Sequence, residues 1–499
     1  MDASTPTLAS WEERAARLQI RNQALIDGRL VPAASGKSFD DISPRDGRVL
    51  TRVASCDAED VDRAVAAARR SFESGVWREQ HPRARKAVLL TLARLIEENA
   101  EELALLETLD MGKPIRDSLN IDVPLSARCV QYYAEAIDKL YDQVGPSGPG
   151  SMSLILREPL GVIGVVVPWN FPLMMAVWKV APALAVGNSL VLKPAEQSPL
   201  TAIRLGELAL EAGLPPGVLN VVPGFGETAG QAIGRHMDVD MLTFTGSTEV
   251  GKYFMRYSGE SNLKRVSLEC GGKTPHIVMP DAADLDRAAQ EAAGGIFFNQ
   301  GEVCNAGSRL LVHESIKDEF LAKVIAYGRS WVPGDPLDPA TRMGALVDSR
   351  QHERVLGYIA KGQQEGAELK CGGAAARTDS GGYYIQPTVF DGVSPGMTIA
   401  QEEIFGPVLS TLTFRSTEEA FRIANDTIYG LAAAIWTKDI SVAMKAAKTI
   451  KAGSVWINCF DAGDITTPFG GFKQSGFGRD KSLHALEKYT DLKSVWIEL

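Results

Sequence analysis

Between residues 160 and 280 the chain alternates short apolar, β-branched runs with longer runs whose apolar positions recur at helical spacing. That alternation predicts βαβ units and a parallel sheet. Strands are expected at GVIGVVV (161–167), SLVLK (189–193), VLNVV (218–222) and MLTFT (241–245). Helices are expected between them at 173–187, 199–213 and 227–236, each ending near a glycine or a polar break. Upstream, the segments 57–73 and 83–110 carry apolar residues at helical spacing and should pack on the flank of the sheet. Downstream the alternation resumes at 283–299, 308–314 and 317–328, which predicts a second α/β domain. The Gly- and Ala-rich stretch 371–384 reads as a surface hairpin or loop. The run from Gly161 to Leu192 is apolar enough to resemble a membrane span, but Pro168, Asn170, Pro172, Lys179 and Pro182 interrupt it, so buried strand, loop and helix are expected instead.

Composition narrows the function classes. At 499 residues, two or more domains are expected, and 45% hydrophobic with 23% charged residues is the balance of an ordinary globular protein. A net charge of −10 disfavours a nucleic-acid partner, whose phosphates require a concentrated basic surface. Six scattered cysteines without a CxxC pair suggest neither a disulfide framework nor a zinc site, and no metal is expected. The first residues lack an apolar core behind a basic end, so the expected location is the cytoplasm, away from membranes.

Five short segments place candidate side chains where an α/β fold puts ligands. In FTGSTEVG, Gly246 ends a strand and Gly251 falls in the next helix, a turn able to hold a pyrophosphate although its spacing is not the usual GxGxxG. In KPAEQSP, Lys193 and Glu196 follow a strand at its carboxyl end, where a carboxylate accepts ribose hydroxyls and repels a 2′-phosphate. Cys304 lies in the polar loop FFNQGEVCNAGSR, and a thiolate is the best neutral-pH nucleophile for making a tetrahedral adduct with an aldehyde. Glu269, in SLECGGK, ends a strand before two glycines that permit a sharp turn, and a carboxylate there is able to activate water. Asn170, in PWNFP, sits in a loop stiffened by two prolines and can donate to an oxyanion. Taken singly, each of these residues also has an ordinary structural reading: a buried thiol, a Glu269–Lys273 surface pair, a structural glycine.

Taken together and in order, PWNFP, KPAEQ, FTGSTEVG, LECGGK, FFNQGEVC, QEEIFGPV and PFGGFKQSGFGR resemble the NAD(P)-dependent aldehyde dehydrogenase family over nearly the whole chain. The resemblance implies Cys304 as nucleophile, Glu269 as general base, and Asn170 with the Cys304 N–H as oxyanion donors. It implies Lys193 and Glu196 at the adenosine ribose, Gly246 and Ser247 at the pyrophosphate, Trp169 among the cofactor contacts, and Glu403 and Phe405 at the nicotinamide ribose and ring. NAD is the implied cofactor, with NADP second. Two positions depart from the family pattern: Glu302 stands where an amide is commoner, two residues before Cys304, and Cys270 stands beside Glu269. Glu302 would raise the Cys304 pKa if it pointed inward, and would leave it alone if it faced a neighbouring backbone.

The implied fold is a Rossmann-like cofactor domain (1–138 and 161–271), an α/β catalytic domain (272–480) and a small β oligomerisation extension (139–160 and 481–499). The implied assembly is a homodimer or homotetramer. The expected reaction is oxidation of an aldehyde to a carboxylic acid through a cysteinyl thioester, and Glu269 argues against a CoA-acylating relative. The tail from 463 onward is similar to the branch acting on γ-glutamyl-aminobutyraldehyde and 4-guanidinobutyraldehyde, from polyamine and arginine breakdown. Asp461 and Asp464, in INCFDAGDITTPFGG, are the expected contacts for a cationic substrate end. The alternatives are a broad aliphatic or betaine aldehyde dehydrogenase and, from another class, a catalytically silent NAD-binding protein.

Overall fold

The computed structural model describes residues 6–499. Its first sheet has five parallel strands in the spatial order Leu219–Val221, Ser189–Lys193, Val162–Val166, Met241–Thr245 and Arg265–Glu269. In chain order that is 3-2-1-4-5, so the winding reverses between Val162–Val166 and Met241–Thr245. Open α/β sheets bind ligands outside the carboxyl ends of their strands at such a reversal. The strands expected at 189–193 and 241–245 are present with those bounds, and those expected at 161–167 and 218–222 are present but shorter, as Val162–Val166 and Leu219–Val221.

Three short strands of this sheet escaped the hydrophobic pattern. Ala24–Ile26 and Arg29–Val31 extend the sheet antiparallel beyond Leu219–Val221. The two-residue strand Gly476–Phe477 pairs antiparallel with Arg265–Glu269, which brings a segment from the end of the chain onto the first sheet. The helical run expected over 83–110 divides into Pro82–Glu98 and Ala100–Met111. Asn99 makes the break: its side chain donates to the Leu95 carbonyl at 2.7 Å and accepts from Arg204 at 3.3 Å, competing with continued helix.

The second sheet has six parallel strands, including Arg309–His313, Pro275–Val278 and Ala432–Trp436 at its centre, and one antiparallel edge, Glu368–Cys371. Both sheets are covered by helices on both faces, leaving four large apolar clusters. Fully buried parallel strands follow from the continuous apolar runs in the sequence. The stretch 371–384 contains the small hairpin Ala375–Ala376 with Tyr384–Ile385.

A third, three-stranded antiparallel sheet joins Gln143–Gly145, Ser151–Pro159 and Thr490–Glu498, the last two paired over nine residues. It leaves Leu492 and Trp496 exposed. No helix of the described residues is long and apolar enough to cross a membrane.

Candidate active site

The loop that delivers Cys304 is strained and tightly held. After the helix Leu285–Phe297, residues Asn299, Gln300 and Gly301 all have positive φ (47°, 58° and 72°), and the two side-chain-bearing ones each cost on the order of 1–3 kcal/mol. Hydrogen bonds from distant segments offset that cost. Asn299 donates its side-chain amide to the Asn170 carbonyl at 3.0 Å, Gln300 accepts from the Gly344 N–H at 2.8 Å, and Glu302 accepts from the Val347 N–H at 3.0 Å. A Cβ on Gly301 would lie 2.2 Å from the Gly406 carbonyl oxygen. Glu302 therefore faces a neighbouring backbone and does not point at the thiol; burial pushes its own pKa well up.

Asn170 follows the strand Val162–Val166 and donates one amide hydrogen to the Glu302 carbonyl at 2.8 Å, which ties it to the same loop. Its second hydrogen and the Cys304 N–H have no acceptor among the described residues. Cys304 is half-buried. Burial pushes its thiol pKa up, and Glu403, Glu269 and Asp461 push the same way against the Asn305 N–H, so the resting group is a thiol.

Cys304 and Asn170 share one cavity of about 380 Å³ with Trp169, Gly246, Ser247, Glu403, Phe405 and Asp461. Gly246 and Ser247 lie at the carboxyl end of Met241–Thr245, and the Ser247 hydroxyl caps the helix Thr248–Glu260 by accepting from the Val250 N–H. Trp169 and Phe405 meet edge to face at 5.1 Å. Phe405 has φ 58°, and Gln351 holds it through the Phe405 carbonyl at 2.6 Å. Glu403 accepts from the Gly272 N–H at 3.1 Å, and burial pushes its pKa up to about 7 against that bond and Lys273. The rest of the wall includes five aromatic side chains, Phe171, Trp178, Phe298, Trp456 and Phe469.

The glycines after Glu269 serve a different purpose from the expected sharp turn. Neither Gly271 nor Gly272 has positive φ. A Cβ on Gly271 would sit 2.0 Å from a Glu403 carboxylate oxygen, and one on Gly272 would sit 2.5 Å from the Cys304 carbonyl oxygen. Missing side chains let the Cys304 loop and Glu403 close in on this strand end. Gly251 likewise lets its helix approach, with the Cys270 sulfur 3.0 Å from where its Cβ would be.

Four of the expected site residues lie off this cavity wall. Glu269 is buried with neither carboxyl oxygen hydrogen-bonded among the described residues, and it is tucked toward Gly470, where a Cβ would meet its Oε1 at 2.7 Å. Burial raises its pKa well above the usual carboxylate range, Asp480 adds to this, and Lys179, Lys488 and Arg479 oppose it. It makes no surface pair with Lys273, which is itself buried and pushed down to about 7 by burial and then by Arg309. Lys193 and Glu196 sit at the carboxyl end of Ser189–Lys193, bonded to each other at 3.0 Å. Asp464 pairs with Arg128 at 3.0 Å, whereas Asp461 lines the cavity and accepts from the Asn305 side chain at 2.7 Å. Asp461 stays open to solvent, yet its protein surroundings raise its pKa.

Sequence motifs did not mark Gln351, Arg354 or Lys481, which also line the cavity. Arg354 donates to the Glu403 carbonyl at 3.0 Å. Gln351 and Arg354 come from the amphipathic helix Ser349–Gln364, whose pattern reports only which face is covered. Among the described residues, no cluster of three or more His, Cys, Asp or Glu is arranged to hold a metal.

Residues 30–495 match the family model described as the aldehyde dehydrogenase family. The chain is 52% identical to the NADP/NAD-dependent aldehyde dehydrogenase PuuC of Escherichia coli, over 99% of both chains. It superimposes on the indole-3-acetaldehyde dehydrogenase AldA of P. syringae, solved with NAD+ and IAA, with a TM-score of 0.98 and 60% identity over 99% of this chain and 100% of that one. The γ-glutamyl-γ-aminobutyraldehyde dehydrogenase of Burkholderia cenocepacia gives 0.97 and 58%, with the same coverage.

Proposed function

We propose, on the premise that this chain belongs to the aldehyde dehydrogenase family, that its substrate is an amino-, guanidino- or γ-glutamylamino-butyraldehyde. The reaction class follows from the family: the enzyme oxidises an aldehyde with NAD(P). The observation that carries the substrate reading is Asp461, a carboxylate facing an aromatic-walled cavity that also holds Cys304. Aromatic faces and a carboxylate together favour a cationic or polar substrate end.

The residues fit the cofactor. Gly246 and Ser247 offer a strand end and a helix N-terminus at the sheet reversal, Lys193 and Glu196 stand at a neighbouring strand end, and Glu403 and Phe405 border the cavity. NAD(P), when bound, supplies the hydride acceptor and a positive ring that favours the thiolate.

In our reading Cys304 gives up its thiol proton to solvent, its thiolate sulfur bonds to the carbonyl carbon, and Asn170 with the Cys304 N–H holds the resulting oxyanion. As the oxyanion re-forms a carbonyl the C–H bond gives up its hydride, leaving a thioester on Cys304. Glu269 turns from its contact with Gly470, takes a proton from water, and the hydroxide displaces the sulfur to release the acid. The three-stranded extension, with Leu492 and Trp496 exposed, is the surface we assign to a homodimer or homotetramer. Six free cysteines fit a cytoplasmic setting.

A second reading has its own support. The same aromatic wall suits a flat aromatic aldehyde, and the AldA relative is named for indole-3-acetaldehyde. The test is kcat/KM over aldehydes of equal chain length ending in amino, guanidino, γ-glutamylamino, trimethylammonium or methyl groups, with indole-3-acetaldehyde alongside. The account predicts at least a tenfold preference for a nitrogen-bearing end over methyl, about 1.4 kcal/mol, reduced in Asp461→Asn. Indole-3-acetaldehyde as the best substrate would establish the second reading, and a flat panel would make the enzyme a general aldehyde oxidiser.

A further inference from the structure

Lys481 is a charged group of the cavity to which neither the proposed chemistry nor the proposed cofactor contacts assign a task. It is half-buried and lines the wall with Asp461 and Trp178. Its ammonium lies 5.6 Å from the Trp178 ring centroid and would be 3.7 Å from a Cβ on Gly463, two residues beyond Asp461. No carboxylate among the described residues lies within ion-pair distance of it; Asp464 pairs with Arg128, and Asp461 accepts from Asn305. Burial pushes its pKa down while Asp461, Asp464 and Cys129 oppose the shift from longer range.

The backbone that presents Lys481 is strained and fixed. Lys481 and Ser482 both have positive φ, 62° and 51°. The Ser482 N–H donates to the Ile465 carbonyl at 2.6 Å, and the Tyr133 hydroxyl donates to the Ser482 carbonyl at 3.1 Å. These bonds lock the segment against the loop that carries Asp461. A partly desolvated ammonium without a counter-ion, held on a rigid support, is poised to gain from an incoming carboxylate.

We propose that Lys481 is a specificity-determining residue that receives a carboxylate at the far end of the aldehyde, so that the preferred substrates end in an amino-acid group bearing both charges. Asp461 faces the amino group and Lys481 the carboxylate. The inference rests on the substrate reading above and selects its γ-glutamylamino member over simple amino and guanidino aldehydes. A nonpolar or singly cationic end leaves Lys481 without a partner.

The test compares 4-(γ-glutamylamino)butanal with the same aldehyde lacking the α-carboxylate, and both with butanal, using the full-length enzyme and NAD. Wild type should favour the carboxylate-bearing aldehyde at least tenfold in kcat/KM over its decarboxylated analogue. That ratio should fall to near one in Lys481→Met and in Lys481→Gln, and Lys481→Arg should restore most of it. A wild-type ratio near one would overturn the proposal, as would a ratio surviving in both neutral variants or one lost equally in Lys481→Arg. The broader substrate reading fails separately, if neither nitrogen-bearing aldehyde outperforms butanal.

Discussion

Cys304 and Glu269 sit in surroundings that push both pKa values up, Cys304 by burial with Glu403, Glu269 and Asp461 nearby and Glu269 by burial off the cavity wall. The proposed thioester hydrolysis needs Glu269 as carboxylate, and its pKa is raised well above the ordinary value. Hydrolysis-limited kcat should therefore rise with pH through that raised value and fall away below it. Glu269→Gln should remove this limb and lower kcat about 100-fold or more; a pH profile of kcat for both proteins checks it, and an unchanged limb in the variant would exclude Glu269 as the base. The positions of Cys304 and Asn170 on one cavity were legible because motifs fix them within loops. The tuck of Glu269 toward Gly470 and the capture of Asp464 by Arg128 were not, since each depends on a residue hundreds of positions away or on another element. Lys481 was equally hidden, being one lysine among many until the fold sets it beside Trp178.

Between elements, the approach of the Cys304 loop and Glu403 to the end of Arg265–Glu269 depends on two absent side chains. Gly271→Ala should push Glu403 aside, since 2.0 Å is far inside van der Waals contact, raising KM for NAD(P) and lowering kcat at least tenfold. Gly272→Ala should displace the Cys304 carbonyl and reduce the yield of the first-turnover burst, measured by rapid mixing. Wild-type kinetics in both variants would mean that the strand end is less crowded than the structure implies. The central strands could be read from sequence because buried parallel strands are uninterrupted apolar runs, as in SLVLK and MLTFT. Gly476–Phe477 could not, because two residues carry no period, and the break at Asn99 was masked by apolar spacing that continues through it.

Across the molecule, Asp480 ties the segment after the glycine-rich 468–479 stretch to the helix Pro172–Ala185 and to the residues before the last strand. Lys179 and Lys488 reach its carboxylate at 2.7 Å and 2.5 Å, with Lys179 and Asp480 fully buried. Burial opposes ionisation of Asp480, but the two lysines outweigh it and hold the pKa below its ordinary value. The stabilisation is complete above the ordinary carboxylate pKa and is lost as pH falls through the lowered one. Asp480→Asn leaves two cations without their partner and should cost about 3–5 kcal/mol, visible as a large drop in Tm at neutral pH that shrinks in strong acid; an unchanged Tm would deny the network a structural role. Domain class was legible from the alternation of strands and helices, whereas this cross-chain tie has no local signature. Oxidation through a thioester on Cys304 is checked by mass spectrometry of Glu269→Gln after mixing with NAD and butanal. One NADH per active site and one butyryl group on the Cys304 peptide are expected; continued turnover with unmodified Cys304, or acylation at another residue, would rule out the Cys304 thioester.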